Sequence, residues 1–247
     1  MENVKALLFD VFGTVVDWRT SVEAELKALG AKHGVDADWA KFAQEWRDKY
    51  FSGTKRVAVE GAAFTSVDAM HRQILDQMLA SPEWSSIAPL WSEEELQNLN
   101  LVWHRLGGWP DSSEGLRALK KNYIIATLSN GNVKLLVDMA KYADLPWDAV
   151  FSGEMFQSYK PDPKTYLGVI KYLSLQPHEV AMVAAHIFDI RAASKLGMPT
   201  VYVLRPQEEA DPHPEAIKTK AEGGDADLIV SSFLELAEVL NRGKGDH

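Results

Sequence analysis

Four short stretches of this chain join an apolar run to side chains able to do chemistry. In the first, Ala6-Leu7-Leu8-Phe9 delivers Asp10, and Gly13-Thr14 follows three residues later. A short continuous apolar run reads as a strand buried on both faces. In open α/β sheets the ligand crevice lies at the carboxyl ends of such strands, which makes Asp10 a candidate nucleophile or metal ligand; the alternative is a carboxylate that only caps the next turn. In the second, Tyr123 to Leu128 runs into Ser129-Asn130-Gly131-Asn132 where a helix is expected. That junction offers a hydroxyl, an amide and unpaired helix N–H groups to an anion, or is an ordinary Ser/Asn cap. In the third, Lys160 stands between Tyr159 and Pro161-Asp162-Pro163. The prolines stiffen the backbone and keep Lys160 outside any helix, so its ammonium can be aimed, unless it is a surface lysine in a proline turn. In the fourth, Val180 to Ala184 is followed by His186 and Asp189, an imidazole and a carboxylate that serve either a reaction or the packing and capping of a helix.

The elements that must carry these residues change texture along the chain. From Trp18 to about Tyr123 no strand pattern is expected. Helical spacing of apolar residues marks Thr20 to Ala31, Asp38 to Tyr50, Ser66 to Leu79 and Glu93 to Arg105, the last opened by a capping-box pattern at Ser92-Glu93-Glu94-Glu95. From Tyr123 short apolar runs alternate with amphipathic helices. Strands are expected at Tyr123 to Leu128, Ala149 to Ser152, Val180 to Ala184, Thr200 to Leu204 and Leu228 to Val230. Helices are expected at Asn132 to Tyr142, Pro163 to Tyr172, Ile187 to Leu196 and Phe233 to Leu240. Such alternation implies an α/β fold: a Rossmann-like parallel sheet, residues 1–16 and 105–247, interrupted by a helical cap over residues 17–104. Arg205 to Asp225 reads as a polar surface loop with one short helix at Glu215 to Ala221, and Glu208-Glu209 as solvated charge.

Composition narrows the function. The 247 residues are 46% hydrophobic, enough for a sizeable core, and no apolar run has the length of a membrane span. With no signal-peptide pattern at the start, a cytoplasmic location is expected. The net charge of -9 argues against nucleic acid or an anionic membrane as a partner. The absence of cysteine leaves only oxygen or nitrogen nucleophiles. The oligomeric state is not readable, a homodimer included.

In order and relative spacing, the four stretches resemble the four motifs of the haloacid dehalogenase superfamily. They are Phe9-Asp10-Val11-Phe12-Gly13-Thr14, Leu128-Ser129-Asn130-Gly131, Tyr159-Lys160-Pro161 and Asp189. Phosphatase members have a second Asp two residues after the first, as general acid for the leaving alcohol. Here that place holds Phe12, as in the L-2-haloacid dehalogenases, to which Ser129-Asn130-Gly131 and Trp46-Arg47-x-Lys49 in the helical segment are also similar.

The resemblance implies a metal-free and cofactor-free hydrolase that turns an (S)-2-haloacid into the inverted 2-hydroxy acid through an ester on Asp10. On that reading Lys160 keeps Asp10 ionised. Thr14, Ser129 and nearby N–H groups hold the substrate carboxylate, and Asp189 orients Lys160 or water. Arg47 and Asn130 receive the halide, and Phe12, Phe51 and Phe188 form an apolar wall. The implied partners are a small 2-haloalkanoic acid and halide. This chain departs from the family at the fourth motif, with Ala184 and His186 where a Ser and an Asn stand in its best-known members, and Phe188 for a Trp; His186 is then a base, a contact or a space-filler. The rival readings are a magnesium-dependent phosphatase, an azetidine carboxylate hydrolase and a binding protein without activity.

Overall fold

The computed structural model describes residues 1–208 and 217–242. Its centre is a sheet of six parallel strands in the order β5-β4-β1-β6-β7-β8: β1 Ala6–Phe9, β4 Ile124–Ser129, β5 Ala149–Ser152, β6 Val180–Ala184, β7 Thr200–Val203 and β8 Leu228–Val230. Alternate residues of β1 enter separate apolar clusters on the two faces, Leu7 and Phe9 on one and Ala6 and Leu8 on the other. The period of two expected for a pleated strand is thus used on both sides, which is why the run is continuously apolar.

The chain first builds outward from β1 through β4 to β5 and then returns to the other side of β1 with β6. The carboxyl end of β1 is therefore the point where strand order reverses, and crossovers leave a crevice there. Asp10, Ser129 and His186 stand at the ends of the three adjacent strands β1, β4 and β6.

Between β1 and β4 lie the helices α1 Trp18–Lys32, α2 Trp39–Glu60, α3 Val67–Leu79 and α4 Glu93–Asn100, with a 3-10 turn at Leu101–His104. They close on a cluster of Trp18, Trp39, Phe42, Trp46, Trp91 and Trp103, which is continuous with the core on one face of the sheet. Polar ties join the two parts. His104 lies between Asp68 of α3 at 3.0 Å and Asp138 of α6 (Val133–Tyr142) at 2.9 Å. The Tyr159 hydroxyl donates to the Thr65 carbonyl.

The strands and the helices α6, α7 (Pro163–Leu173), α8 (Ile187–Lys195) and α9 (Phe233–Asn241) agree with the sequence reading to within a residue or so. Five features differ. The helix expected at Glu93 to Arg105 ends at Asn100 and gives way to the 3-10 turn Leu101–His104. Strand structure does occur after Asp10, since β2 (Val16–Asp17) pairs antiparallel with β3 (Gly107–Gly108); two residues per strand are too few for alternation to register. Helix α2 runs ten residues beyond Tyr50 to Glu60, where Gly61 ends it at φ 74°; past Tyr50 its buried positions are Gly53 and Thr54, which do not continue an apolar spacing. Helix α5, Ser112–Lys120, had no expected counterpart. The helix expected at Glu215 to Ala221 begins outside the described residues, and the described part holds a 3-10 turn at Lys220–Glu222.

Helix α5 packs on α9 through Gly115. A Cβ there would lie 2.4 Å from Phe233 Cβ and 2.8 Å from its backbone carbon. Gly115→Ala should therefore lower stability by about 1–3 kcal/mol, because overpacking against backbone outweighs the gain in helix propensity. Urea denaturation measures it, and an unchanged or raised midpoint would show that this crossing is slack.

Candidate active site

Asp10 is the hub of a buried chain of charged groups. Its Oδ1 accepts from Lys160 Nζ at 2.7 Å. Its Oδ2 accepts from the Thr14 hydroxyl at 2.8 Å and faces His186 Nδ1 at 3.0 Å. Thr14 Oγ1 in turn accepts the Ala185 N–H at 2.9 Å, which fixes the direction in which its proton points. Gly13, at φ 82°, makes the sharp turn that brings Thr14 back over the strand end. Lys160 Nζ also donates to Asp189 Oδ2 at 2.5 Å, and the Tyr166 hydroxyl donates to Asp189 Oδ1 at 2.5 Å. The loop carrying Lys160 is pinned to the end of β4 by its own N–H, which donates to Asn130 Oδ1 at 2.8 Å. Ser129 Oγ accepts from the Gly131 N–H at 3.2 Å and keeps its proton for another acceptor.

The electrostatics follow from burial and pairing. Burial alone pushes the Asp10 carboxyl up, but Lys160 and His186 together outweigh it and hold Asp10 well below the usual carboxylate range. Burial works against a charged Lys160 too, and Asp10 and Asp189 overcome it and raise the ammonium's pKa. Asp189 is pushed up, chiefly by burial, with Lys160 opposing. His186 loses solvation, yet its bonds to Asp10 and to a second carboxylate, Glu208, push it up to about 9. With a carboxylate at each ring nitrogen, the resting ring is an imidazolium.

Glu208 corrects the sequence reading, which placed it in solvent. Its side chain is 5% exposed. It accepts from Trp18 Nε1 at 2.8 Å and sits 3.2 Å from His186 Nε2. Glu209 lies outside the described residues. Tyr166 and Trp18 also went unread as site residues: each presents as a core aromatic, and only its polar tip reaches the site.

Arg47, on α2, is buried, with rings around its guanidinium: Phe51 at 4.3 Å, Tyr50 at 5.1 Å, Trp18 at 5.3 Å and Phe12 at 5.5 Å. One nitrogen makes a long 3.4 Å contact to the Phe12 carbonyl, and Nε and Nη1 have no partner among the described residues. Phe51, Asn130, Lys160 and Phe188, with Thr54 and Pro161, line a largely apolar cavity of about 320 Å³. Phe188 stacks on His186 at 5.6 Å, and Phe51 meets His186 edge-on at 5.9 Å. Asp10, Thr14, Lys160, His186 and Asp189 are thus joined in one hydrogen-bonded chain, with Arg47, Phe51 and Phe188 reaching it through ring contacts; Ser129 stands at the end of the neighbouring strand, where its partner is the Gly131 N–H.

Ligand atoms of Asp10, His186 and Asp189 lie within 4.8 Å of one another, a spacing that could suit a metal ion. The donor set does not fit one as it stands: Lys160 Nζ bonds both carboxylates, so a bridging cation would have to displace an ammonium.

A six-stranded parallel sheet reversing at a strand that ends in Asp, with the Ser, Lys and Asp stations around it, defines a class of hydrolases. The chain belongs to the haloacid dehalogenase-like hydrolases, whose family model matches residues 4–197. Within that class it is similar to an L-2-haloacid dehalogenase of known structure, at 38% identity and a TM-score of 0.86, covering 97% of this chain and 100% of the other. It is equally similar to a defluorinating L-2-haloacid dehalogenase, again at 38% identity and 0.86, covering 96% and 95%. The (S)-2-haloacid dehalogenase 1 of Pseudomonas sp. (strain CBS-3) is 29% identical over 217 residues, 84% of this chain and 89% of that protein.

The raised pKa of His186 has a consequence for stability. A group whose pKa rises on folding contributes fully below its unfolded value, near 6.5, and that contribution is lost as the pH climbs through about 9. The unfolding free energy should therefore fall over that alkaline range, and His186→Asn should flatten the fall. His71, buried and pushed well below 6.5, acts in the opposite sense and costs stability only below that value. Denaturant titrations across the range test this, and an equally steep alkaline decline in the variant would refute it.

Proposed function

We propose that the protein hydrolyses small (S)-2-haloalkanoic acids, releasing halide and the inverted 2-hydroxy acid. The observation that carries this reading is Arg47: a buried cation with free N–H groups in an aromatic box calls for a small anion. It packs on Phe51, whose ring meets the His186 that contacts Asp10. The named L-2-haloacid dehalogenases to which the chain is similar support the same conclusion.

Asp10 attacks C2 of the substrate from the face opposite the halogen, forming a C–O bond as the C–halogen bond breaks. Oδ1, with one donor against two on Oδ2, is the oxygen better placed to attack. Thr14, its hydroxyl engaged on both sides, is assigned to orienting Asp10 instead of holding the substrate carboxylate. Ser129 and the N–H groups that follow it take the carboxylate. Arg47 and Asn130 receive the halide, and Phe12, Phe51 and Phe188 keep bulk water from the reacting carbon. Asp189, tied by Tyr166, positions Lys160. Water then attacks the Asp10 ester carbonyl and restores the carboxylate.

The helices of residues 17–104 are proposed to act as a cap, carrying Arg47 and Phe51 over a core of residues 1–16 and 105–247. The proposed setting is the cytoplasm, and a small 2-haloacid is the only partner the chemistry needs. Every residue named comes from one chain, so a homodimer would carry two independent sites. No described helix is long and apolar enough to cross a membrane.

A single turnover in heavy-oxygen water with excess enzyme should place the label in Asp10 and leave the first product unlabelled; label in that product would mean direct attack by water on the substrate. Lys160→Met should slow ester formation by roughly 10²-fold or more for every halogen. Arg47→Ala should lower kcat more than it raises KM, and unequally among chloride, bromide and iodide substrates. Turnover of all three near wild type would remove Arg47 from the halide site. Halide release that persists in EDTA, without phosphate release from phosphate esters, separates this reading from a magnesium phosphatase.

A further inference from the structure

The reaction so far leaves the second half without a base. The resting imidazolium cannot accept a proton, and Asp189 is spent on Lys160 and Tyr166. The position of Glu208 answers this.

Just past β7, Arg205 is locked to Asp111 by bonds of 2.7 and 3.1 Å and donates from Nε to the Thr14 carbonyl at 2.9 Å. Asp111 also accepts the N–H of Phe233 at 2.7 Å, so the anchor is tied to α9. From that anchor the chain turns through Gln207, at φ 62°, and inserts Glu208 above Gly13. A Cβ on Gly13 would fall 2.0 Å from Glu208 Oε2, so the carboxylate rests directly on the turn that follows Asp10. A buried carboxylate held by an indole N–H and an imidazole, in a part of the chain that otherwise looks solvated, is costly without a use.

We propose that Glu208 is a positioning residue that makes His186 the general base for hydrolysis of the Asp10 ester. The inference rests on the ester reading above. Among the described residues, two titratable groups face the His186 ring, Asp10 and Glu208; the rings of Phe51 and Phe188 also pack on it, and Lys160 and Asp189 lie beyond Asp10. Esterification makes Asp10 neutral. His186 then loses the anion at Nδ1 and releases its proton to solvent, while Glu208 keeps a proton on Nε2. The tautomer that remains presents a bare Nδ1 toward the ester.

Water adds its oxygen to the Asp10 carboxyl carbon and gives one proton to Nδ1. The bond from that carbon to the Asp10 oxygen that had attacked C2 breaks, and the departing alkoxide takes that oxygen and the proton to become the 2-hydroxy acid. The Asp10 carboxylic acid then passes its own proton to Nδ1, which regenerates the resting ion pair. Over the cycle one proton and one halide leave for each water consumed. The alkylation of Asp10 itself thus switches His186 from a spectator cation to a base.

The test is rapid-quench kinetics on 2-chloropropionate with Glu208→Gln and Glu208→Asp, following halide release and the mass of the Asp10 peptide. In Glu208→Gln the first-turnover halide burst should stay close to wild type. Ester hydrolysis should slow by about 10²-fold, so that ester accumulates on Asp10. The pH midpoint of the hydrolysis step should move down by about one unit or more, because an anion beside the imidazole is gone. Glu208→Asp, which keeps the charge, should fall between the two, and it decides the matter alone if Glu208→Gln does not fold. Hydrolysis with unchanged rate and pH midpoint would overturn the proposal. So would faster turnover, which would make Glu208 a plug to be displaced, or loss of the halide burst in a folded variant. Failure of the ester reading is separately visible in the wild type, as product labelled in the first turnover.

Discussion

The contact on which the site depends is the Lys160 ammonium held between two buried carboxylates, Asp10 and Asp189. Taking three charges out of water is costly, and it is tolerable here because each charge has a partner and most remaining positions are filled by Thr14, His186 and Tyr166. The same arrangement ties distant parts of the chain together. It joins the end of β1, the loop after β5 and the first turn of α8, and the Lys160 N–H extends the link to the end of β4. Removing Lys160 leaves Asp189 a buried anion without a cation beside it, so the chemistry and the integrity of the crevice are coupled at that residue.

Around this centre the charges balance only when the helical segment is counted. Asp10, Asp189 and Glu208 face Lys160 and an imidazolium His186, and Arg47 arrives from α2 as the remaining cation. Among the described residues Arg47 has aromatic faces but no carboxylate partner. Its charge is thus available to an incoming anion, whereas that of Lys160 is already committed. The division explains how an acidic protein can present a cationic contact to an acidic substrate: the overall charge acts at long range, while the dry interior acts at a few ångströms.

Much of this was legible in the chain because chemistry at a sheet end leaves a local mark. A buried strand that stops at Asp10, or at Ser129-Asn130, or just before His186, is an apolar run broken by a polar residue. What escaped lacks such a mark. Glu208 looks like any glutamate in a polar loop, and its burial is made by Arg205 reaching Asp111 across the fold. Tyr166 is one more apolar position on a helix, and only the fold brings its hydroxyl to Asp189. Helix α5 is amphipathic but only nine residues long, too short a stretch for its spacing to stand out from the flanking turns, and it is held by its packing on α9. The far half of α2 faded from view because its buried positions, Gly53 and Thr54, do not continue an apolar spacing, although Phe51 and Thr54 of the cavity wall come from it.

The place of Glu208 in the chain has a wider meaning. The family model matches residues 4–197, and the strap that carries this carboxylate into the centre begins after that span. Two members could therefore agree at every shared motif and still differ in the group that stands behind the imidazole. Such proteins would cleave the carbon–halogen bond alike and part ways afterwards, in how fast the enzyme frees itself. A change at residue 208 alone would in that sense alter the closing half of the cycle while the opening half is kept.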